Sequence, residues 1–550
     1  MTNATKRQTA ARHIVDALIA NGATHVFCVP GESYLAVLDA LYDVDDQITL
    51  IACRHEAAAS NMAEAYGKLT GKPGIVMVTR GPGATQGAVG VHTAFQDSTP
   101  LIMMIGQVAR DQADREAFQE VDYRRMFSSI AKRAEQIDVA ARAGEYVNRA
   151  FAVAQNGRRG PVVLALPEDM LTEEVEAPAL PRAPTAMAAP DPRTLEIFRA
   201  LLTTAEKPFL LVGGGGWTPR AVELLRTVVE TTGVPLGASF RSKDLLDNRH
   251  PNYAGDVGIA PNPDLIERIN NSDLLICIGA RLGEMTTSGY TLPEAPSTRQ
   301  ALVHIHPGAE ELGRVYTPAL AINAAPETAL VALTGMSLPA NPAWARDSAE
   351  AHAAFEAFSK PVAVEEGVNL SAVFNWLDAH LPDDAIMCNG AGNYAAWLHR
   401  FYRHKSFKTQ LAPTSGAMGY GFPAAIAAKT VYPDRDVICA AGDGCFMMAA
   451  PELATAVQYD APVILLVANN GTYGTIRMHQ EKHFPGRVSG TDLVNPDFAA
   501  MAQSFGAFGA AVEKTEDFAD AFEQAKRSGK PAVLDLKTSH REIAPNKKIG

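Results

Sequence analysis

From Thr24 to the last residues, short β-branched apolar runs alternate with longer segments of helical period. A chain with that rhythm satisfies it by pairing parallel strands, returning through crossover helices and burying both faces of each sheet. The expected class is therefore α/β, with doubly wound parallel sheets. Strands are expected at Thr24–Val29, Ile48–Ala52, Gly74–Thr79, Leu101–Ile105 and Val162–Leu166, then at Phe209–Val212, Leu274–Ile278 and Leu302–Ile305. A last group comprises Ala385–Cys388, Val437–Ala441, Val463–Ala468 and Ala532–Leu536. Two stretches interrupt the rhythm: Glu173–Arg193, rich in Pro and Ala without a period, and the Ala-rich, Pro-punctuated Pro339–Pro361. Both read as linkers. They divide the 550 residues into three sheet domains, at 8–172, 190–337 and 365–545, and no short repeat relates them.

Composition closes off several classes. With 47% hydrophobic and 20% charged residues the chain can bury large cores, and is read as globular and soluble. A formal charge of −12 supplies no basic footprint for nucleic acid. No apolar run reaches the ~18 residues of a membrane span. The six cysteines lack CxxC or Cys/His spacing and read as buried thiols of a reducing cytoplasm. Met1–Ala20 reads as a helix stopped at Asn21–Gly22, not as an export signal.

The chemistry concentrates in the last third. Strand Val437–Ala441 runs into Gly442–Asp443–Gly444, and strand Val463–Ala468 into Asn469–Asn470–Gly471–Thr472. Two strand ends thus deliver polar turns to one edge of a parallel sheet, where open α/β folds bind ligands. Asp443, the Asn470 side-chain carbonyl and the Thr472 backbone carbonyl make three hard oxygen ligands, which Mg²⁺ completes to six with phosphate and water. Gly442 and Gly444 allow close backbone approach to a diphosphate at a helix N-terminus. The plainer reading is two ordinary turns with Asp443 as an N-cap.

Gly-Asp-Gly followed after 24 residues by Asn-Asn resembles the diphosphate and metal motif of thiamine diphosphate enzymes. That resemblance implies an N-terminal glutamate to drive the cofactor's aminopyrimidine to its imino form. Glu56, in Arg54–His55–Glu56–Ala57, takes that position; read alone, it would be a first-turn Glu favouring the helix dipole. Gly416 and Met418 match the glycine carbonyl and apolar prop that hold the cofactor bent. Gly31, Gly83, Gly392, Asn393, Cys445, Tyr473 and Gly474 complete the implied cofactor-binding set. The likeness runs from about Gln8 to Asp535, in the order pyrimidine-binding, central and diphosphate-binding domain. It implies a homodimer at least, with a homotetramer expected, because in that family the two cofactor-binding domains meet across a subunit interface.

Within the family the first domain resembles acetolactate synthase: Pro30–Gly31–Glu32, Gly81–Pro82–Gly83–Ala84–Thr85, Phe118–Gln119–Glu120 and Lys132 match positions around the synthase pocket. Phe118, Gln119, Lys132 and Met285 are expected to line the substrate pocket, with Gln119 and His479 catalytic beside Glu56. Phe118 also fits a core position, Lys132 a solvated helix charge and His479 a polar rim. The implied reaction is decarboxylation of a 2-oxo acid to an enamine, then carboligation. Two departures weaken the usual acceptor: Met285 stands where synthases carry a carboxylate-holding Arg, and His479 where they carry a tryptophan. The alternative is a non-oxidative decarboxylase, since Asn470–Gly471–Thr472–Tyr473–Gly474 resembles benzoylformate decarboxylase, or another lyase with an aldehyde or proton acceptor. No His-His pair of the pyruvate decarboxylase kind occurs in the first domain, and Thr79–Arg80–Gly81 lacks a pocket histidine. For FAD, which synthases bind across the central domain, Gly213–Gly216 offers a glycine run. His304 and His306 replace the expected acid, which weighs against it. A nicotinamide dehydrogenase is disfavoured because Gly81, Gly83 and Gly87 give GxGxxxG on a third strand. A cofactor-binding regulator is disfavoured by the presence of Glu56, Asp443 and Asn470 together.

Overall fold

The computed structural model describes residues 5–178 and 180–549. It contains three six-stranded parallel sheets, each flanked by helices. In the first, the spatial order is Thr49–Ala52, His25–Cys28, Gly74–Val78, Leu101–Gln107, Pro161–Pro167, Arg133–Gln136. Numbered along the chain this is 2-1-3-4-6-5. The third sheet has the same order: Gln410–Leu411, Ile386–Asn389, Val437–Gly442, Ile464–Asn469, Ala532–Lys537, Phe508–Val512. The central sheet differs, running Tyr253–Asp256, Leu236–Ala238, Pro208–Val212, Leu274–Ile278, Ala301–His306, Leu320–Asn323, or 3-2-1-4-5-6. The central strands of each sheet are buried on both faces; Ile75, Val76, Met77 and Val78 are all at most 1% exposed. This double burial explains their unbroken apolar runs.

Two expected linkers carry structure. Glu174–Pro178 pairs antiparallel with Thr5–Thr9, and Pro342–Phe358 is a helix that buries Trp344 and Phe355 in the central core. Proline at the helix start supplies a preset φ without costing a hydrogen bond, so the proline punctuation there marks an N-terminus. The helix expected over Met1–Ala20 ends at Asn21 as expected but begins only at Ala10, because Thr5–Thr9 is the strand just described; Met1–Ala4 lie outside the described residues.

Glu56 opens the helix Glu56–Thr70, which ends at Gly71 in the left-handed conformation. The helix Pro82–Asp97 packs against it through glycines: a Cβ on Gly90 would lie 2.4 Å from Ser60 Cβ. That close approach buries the first turn of the Glu56 helix.

Packing divides the chain into two compact bodies. One is the chain up to Ala186 together with Ile426–Pro433 and Ala449–Ala461; the other is Met187–Ala425, Asp434–Met448 and Pro462 onward.

Candidate active site

In the C-terminal sheet, Ile386–Asn389 and Val437–Gly442 are neighbours although Gln410–Leu411 lies between them in the chain. Their outgoing loops part in opposite directions, and such a switch point opens a crevice at the carboxyl edge. A cleft of about 230 Å³ lies there. It is lined by every expected cofactor residue of this domain: Gly392, Asn393, Gly416, Met418, Gly442, Asp443, Gly444, Cys445, Asn470, Thr472, Tyr473 and Gly474. Leu370, Trp397, Ile476 and Ile543 add apolar walls that the sequence did not single out, because an apolar residue type is common to core and pocket alike.

Asp443 is 3% exposed. Its Oδ1 accepts from the Gly444 amide at 2.8 Å, and its Oδ2 from the Gly471 amide and Asn495 Nδ2, both at 2.8 Å. Asn495 in turn bonds Asn469 Oδ1 at 3.0 Å, tying together the two motif turns. Burial raises the Asp443 carboxyl above its ordinary range, against these hydrogen bonds, and no lysine or arginine pairs with it among the described residues. A buried carboxylate without a cation is costly and is relieved by a metal ion. Asn470 Oδ1 accepts from the Thr472 amide at 3.2 Å, and the Thr472 carbonyl from Gly474 N at 2.8 Å. Asp443 Oδ2 accepts two bonds, whereas Asp443 Oδ1, Asn470 Oδ1 and the Thr472 carbonyl oxygen accept one each and retain a lone pair. Among the described residues no group of three or more His, Cys, Asp or Glu side chains could hold a metal, so the donor set is one carboxylate and carbonyls, the hard set that suits Mg²⁺ with phosphate oxygens.

Two helix N-termini face the same cleft. Tyr394–Phe401 starts after Asn393 and Gly474–His483 after Tyr473, and neither has a side-chain cap. In those first turns Gly474, Ala395 and Ala396 donate to nearby carbonyls, which leaves the amides of Tyr394, Thr475 and Ile476 to suit an anion. Thr475 Oγ1 donates to Asn393 Oδ1 at 2.9 Å, joining the two starts. The Tyr394 hydroxyl donates to Cys445 Sγ at 3.4 Å and accepts from the Gly390 amide at 3.0 Å; burial holds its phenol neutral. A Cβ on Gly444 would lie 2.5 Å from Tyr473 Cε1, which explains why this position is glycine. At Gly416, φ is +69° and a Cβ would meet nothing within 4 Å, leaving its backbone open to a ligand. The residues fit a diphosphate with a divalent cation.

The N-terminal body has its own switch point between His25–Cys28 and Gly74–Val78. Gly31 follows the first strand, and a Cβ there would lie 2.6 Å from Thr79 Cβ. A Cβ on Gly83 would lie 3.3 Å from Glu56 Oε1, and one on Gly81 2.8 Å from the Gln119 carbonyl oxygen. Glu56, Gly31, Gly83 and Gln119 thus come together at one sheet edge. Glu56 is 8% exposed and its carboxylate takes no hydrogen bond from any described residue. Gln119 is held at φ +65°, in a loop organised by Glu120, whose carboxylate accepts from the Asp114 and Ala117 amides at 2.7 and 3.0 Å. Phe118 is 75% exposed, so it is no core residue.

Three expected residues sit elsewhere. Lys132 precedes the edge strand Arg133–Gln136, at the amino edge of the sheet, opposite Glu56. Its Nζ donates to the Val153 and Asn156 carbonyls at 2.5 and 2.8 Å, closing the end of the helix Ala143–Gln155; its charge answers that helix's C-terminus. His479 is exposed on the helix Gly474–His483, stacked on His483 at 6.1 Å, and does not line the cleft. Met285 is 42% exposed in a turn of the central domain. In that domain the glycine run serves packing: a Cβ on Gly213 would lie 1.7 Å from Ser239 Oγ and one on Gly214 2.0 Å from the Gly279 carbonyl, while the buried Trp217 indole donates to the Gly213 carbonyl at 2.8 Å. His304 Nε2 lies 3.0 Å from the Ala280 carbonyl. These contacts account for the glycines at 213 and 214 by local packing.

Comparison with known proteins agrees with the geometry. Family models match in chain order: "Thiamine pyrophosphate enzyme, N-terminal TPP binding domain" at residues 8–126, "central domain" at 195–333 and "C-terminal TPP binding domain" at 390–536. A probable acetolactate synthase large subunit of Methanocaldococcus jannaschii is 31% identical over 97% of this chain and 93% of its own. An acetolactate synthase of Bacillus subtilis is 29% identical over 98% and 96%, and the isozyme 2 large subunit of Escherichia coli 29% over 97% and 96%. The chain belongs to the thiamine pyrophosphate enzymes, carries all three domains of that family in order, and is similar over nearly its full length to acetolactate synthase large subunits.

Proposed function

We propose that the protein is an acetolactate synthase-like carboligase that decarboxylates a 2-oxo acid and joins the remaining acyl carbon to a carbonyl acceptor, using thiamine diphosphate and Mg²⁺. The observation that carries this reading is the cleft where Asp443, Asn470 and the Thr472 carbonyl share one wall with two uncapped helix starts. When bound, thiamine diphosphate supplies a carbon nucleophile that accommodates the electron pair left when carbon dioxide departs. The three oxygens would hold the metal, and the first-turn amides at Tyr394 and at Thr475–Ile476 the diphosphate. Met418 and the apolar wall orient the organic part and exclude water. With no protein partner competing for it, the Glu56 carboxylate is free to serve a ligand and would exchange a proton with it through Oε1 or Oε2. Gln119 is read as a neutral hydrogen-bonding group at the same edge as Glu56.

The assembly is read as a homodimer at least, with a homotetramer expected, in the cytoplasm. Support comes from large apolar side chains left open around the motif: Met447, Met448 and Ile476 are 43%, 55% and 55% exposed. No helix among the described residues is long and apolar enough to cross a membrane.

A second reading, simple release to an aldehyde or addition to an uncharged acceptor, rests on Met285. The nearby Arg281 is engaged by Glu311 at 3.3 Å, so it cannot stand in for a carboxylate-binding arginine. Losing such a contact weakens a 2-oxo acid acceptor by about 1.5 to 3 kcal/mol. Incubation with cofactor, Mg²⁺ and pyruvate, benzoylformate or related 2-oxo acids, with products identified by mass, tests both readings. A ligated product supports the first and an aldehyde alone the second. Unchanged substrate throughout rejects both.

A further inference from the structure

Glu452 opens the helix Glu452–Gln458. A glutamate there ordinarily points to solvent and favours the helix dipole; this one is 0% exposed. Its Oε1 accepts from the backbone amides of Arg54 and His55, both at 3.0 Å, and its Oε2 from the Thr455 hydroxyl at 2.5 Å. Arg54 and His55 are the two residues immediately before Glu56, and amides at a helix start have no partner within the helix. The same short stretch makes two further contacts: the Tyr459 hydroxyl accepts from the Ala52 amide at 2.7 Å, and Gln458 Oε1 from Arg54 Nη2 at 2.7 Å. On the far side of Glu56, the His55 ring nitrogen Nδ1 accepts from the Ala57 amide at 3.1 Å. The Glu56 carboxylate has no side-chain anchor among the described residues, so its place is set through its backbone. Glu452 fixes that backbone from a segment 398 residues away in the chain.

We propose that Glu452 is a positioning residue for Glu56: its buried carboxylate clamps the 54–55 amides and so fixes where the Glu56 carboxyl meets the cofactor. This rests on the role given to Glu56 above. Position, not charge, is the claim, and the two conservative variants separate them. Glu452→Gln keeps the length and a carbonyl acceptor for both amides, while the Thr455 hydroxyl can turn to accept from the new amide. Glu452→Asp keeps the charge but withdraws it by one methylene.

The test uses the full-length chain with two readouts. Amide hydrogen exchange across residues 53–57 is followed in the cofactor-free protein. Hydrogen–deuterium exchange at C2 of bound thiamine diphosphate is followed in the Mg²⁺-loaded protein. Glu452→Asp is expected to speed exchange at the 54–55 amides and to slow C2 exchange at least tenfold, while Glu452→Gln stays within about threefold of the parent in both. In a Glu56→Gln background, Glu452→Asp should have no further effect on C2 exchange. The reverse order of the two variants, equal effects in both, or a multiplicative loss in the double variant overturns the proposal. If Glu56→Gln itself leaves C2 exchange intact, the reading of Glu56 fails instead, and the cofactor-free amide measurement still decides whether Glu452 is a clamp.

Discussion

Replacing Glu56 by glutamine separates chemistry from folding unusually well at this position. The side chain keeps its size. Because the carboxylate takes no hydrogen bond from any described residue, the exchange breaks none. What the fold loses is the attraction between a negative charge and the N-terminus of the helix Glu56–Thr70, about 0.3 to 1 kcal/mol. For domains of this size that corresponds to at most about 4 °C in melting temperature. A positioned acid–base group contributes about 10² to 10⁴ in rate, or roughly 3 to 5 kcal/mol of barrier. Since the proposed anchor for metal and diphosphate lies on other residues, cofactor affinity should change little. The expected outcome is a kcat lower by two to four powers of ten, an almost unmoved melting curve and a cofactor titration within a few-fold of the parent. Turnover within tenfold of the parent, or a melting loss above about 8 °C, would refute the reasoning.

Gly444→Ala puts a Cβ 2.5 Å from Tyr473 Cε1, forcing the turn that precedes the helix Gly474–His483 to shift; calorimetric titration should show cofactor binding weakened at least tenfold, and an unchanged isotherm contradicts the cleft assignment. Asp443→Ala should abolish recovery of activity when Mg²⁺ is returned after chelation, whereas the parent recovers fully. Lys132→Met removes two charge-assisted bonds to helix-end carbonyls and should cost about 1.5 to 3 kcal/mol of stability with kcat/KM unchanged; a selective loss of kcat/KM would restore Lys132 to the substrate pocket. His399 and His404 are both held well below the ordinary imidazole range, chiefly by burial. A pKa depressed in the folded state means that the unfolded chain takes up these protons first. Stability is therefore present above about pH 6.5 and lost as pH falls, by about 1.4 kcal/mol per pH unit for each histidine. Thermal unfolding between pH 8 and 5 checks this, and His404→Gln should remove one proton's worth of slope.

What the chain discloses by itself follows from which interactions are local. Central strands such as Leu274–Ile278 were legible because burial on both faces leaves an apolar run. The strands missed are mainly edge strands, Arg133–Gln136, Tyr253–Asp256, Leu320–Asn323, Gln410–Leu411 and Phe508–Val512, where one side needs no apolar partner. That Asp443, Asn470 and Thr472 line one cleft was legible because each follows a strand end, so spacing alone fixes its edge of the sheet. The positions of Lys132 and His479 were not legible, because a residue type carries no information about which edge or face it occupies. Glu452 was invisible: its partners are backbone amides, which leave no trace in residue identity. The shared 2-1-3-4-6-5 order of the first and last sheets is likewise a property of pairing, not of side-chain sequence.

The stretches Ile426–Pro433 and Ala449–Ala461 fold with the amino-terminal body although the chain reaches them late. Anyone transplanting that body into a relative, or expressing it as a fragment cut after Ala186, would leave behind two pieces that complete it. Exchange between homologous enzymes along this gene should therefore tolerate crossovers that move both stretches with their host, and penalise those that split them.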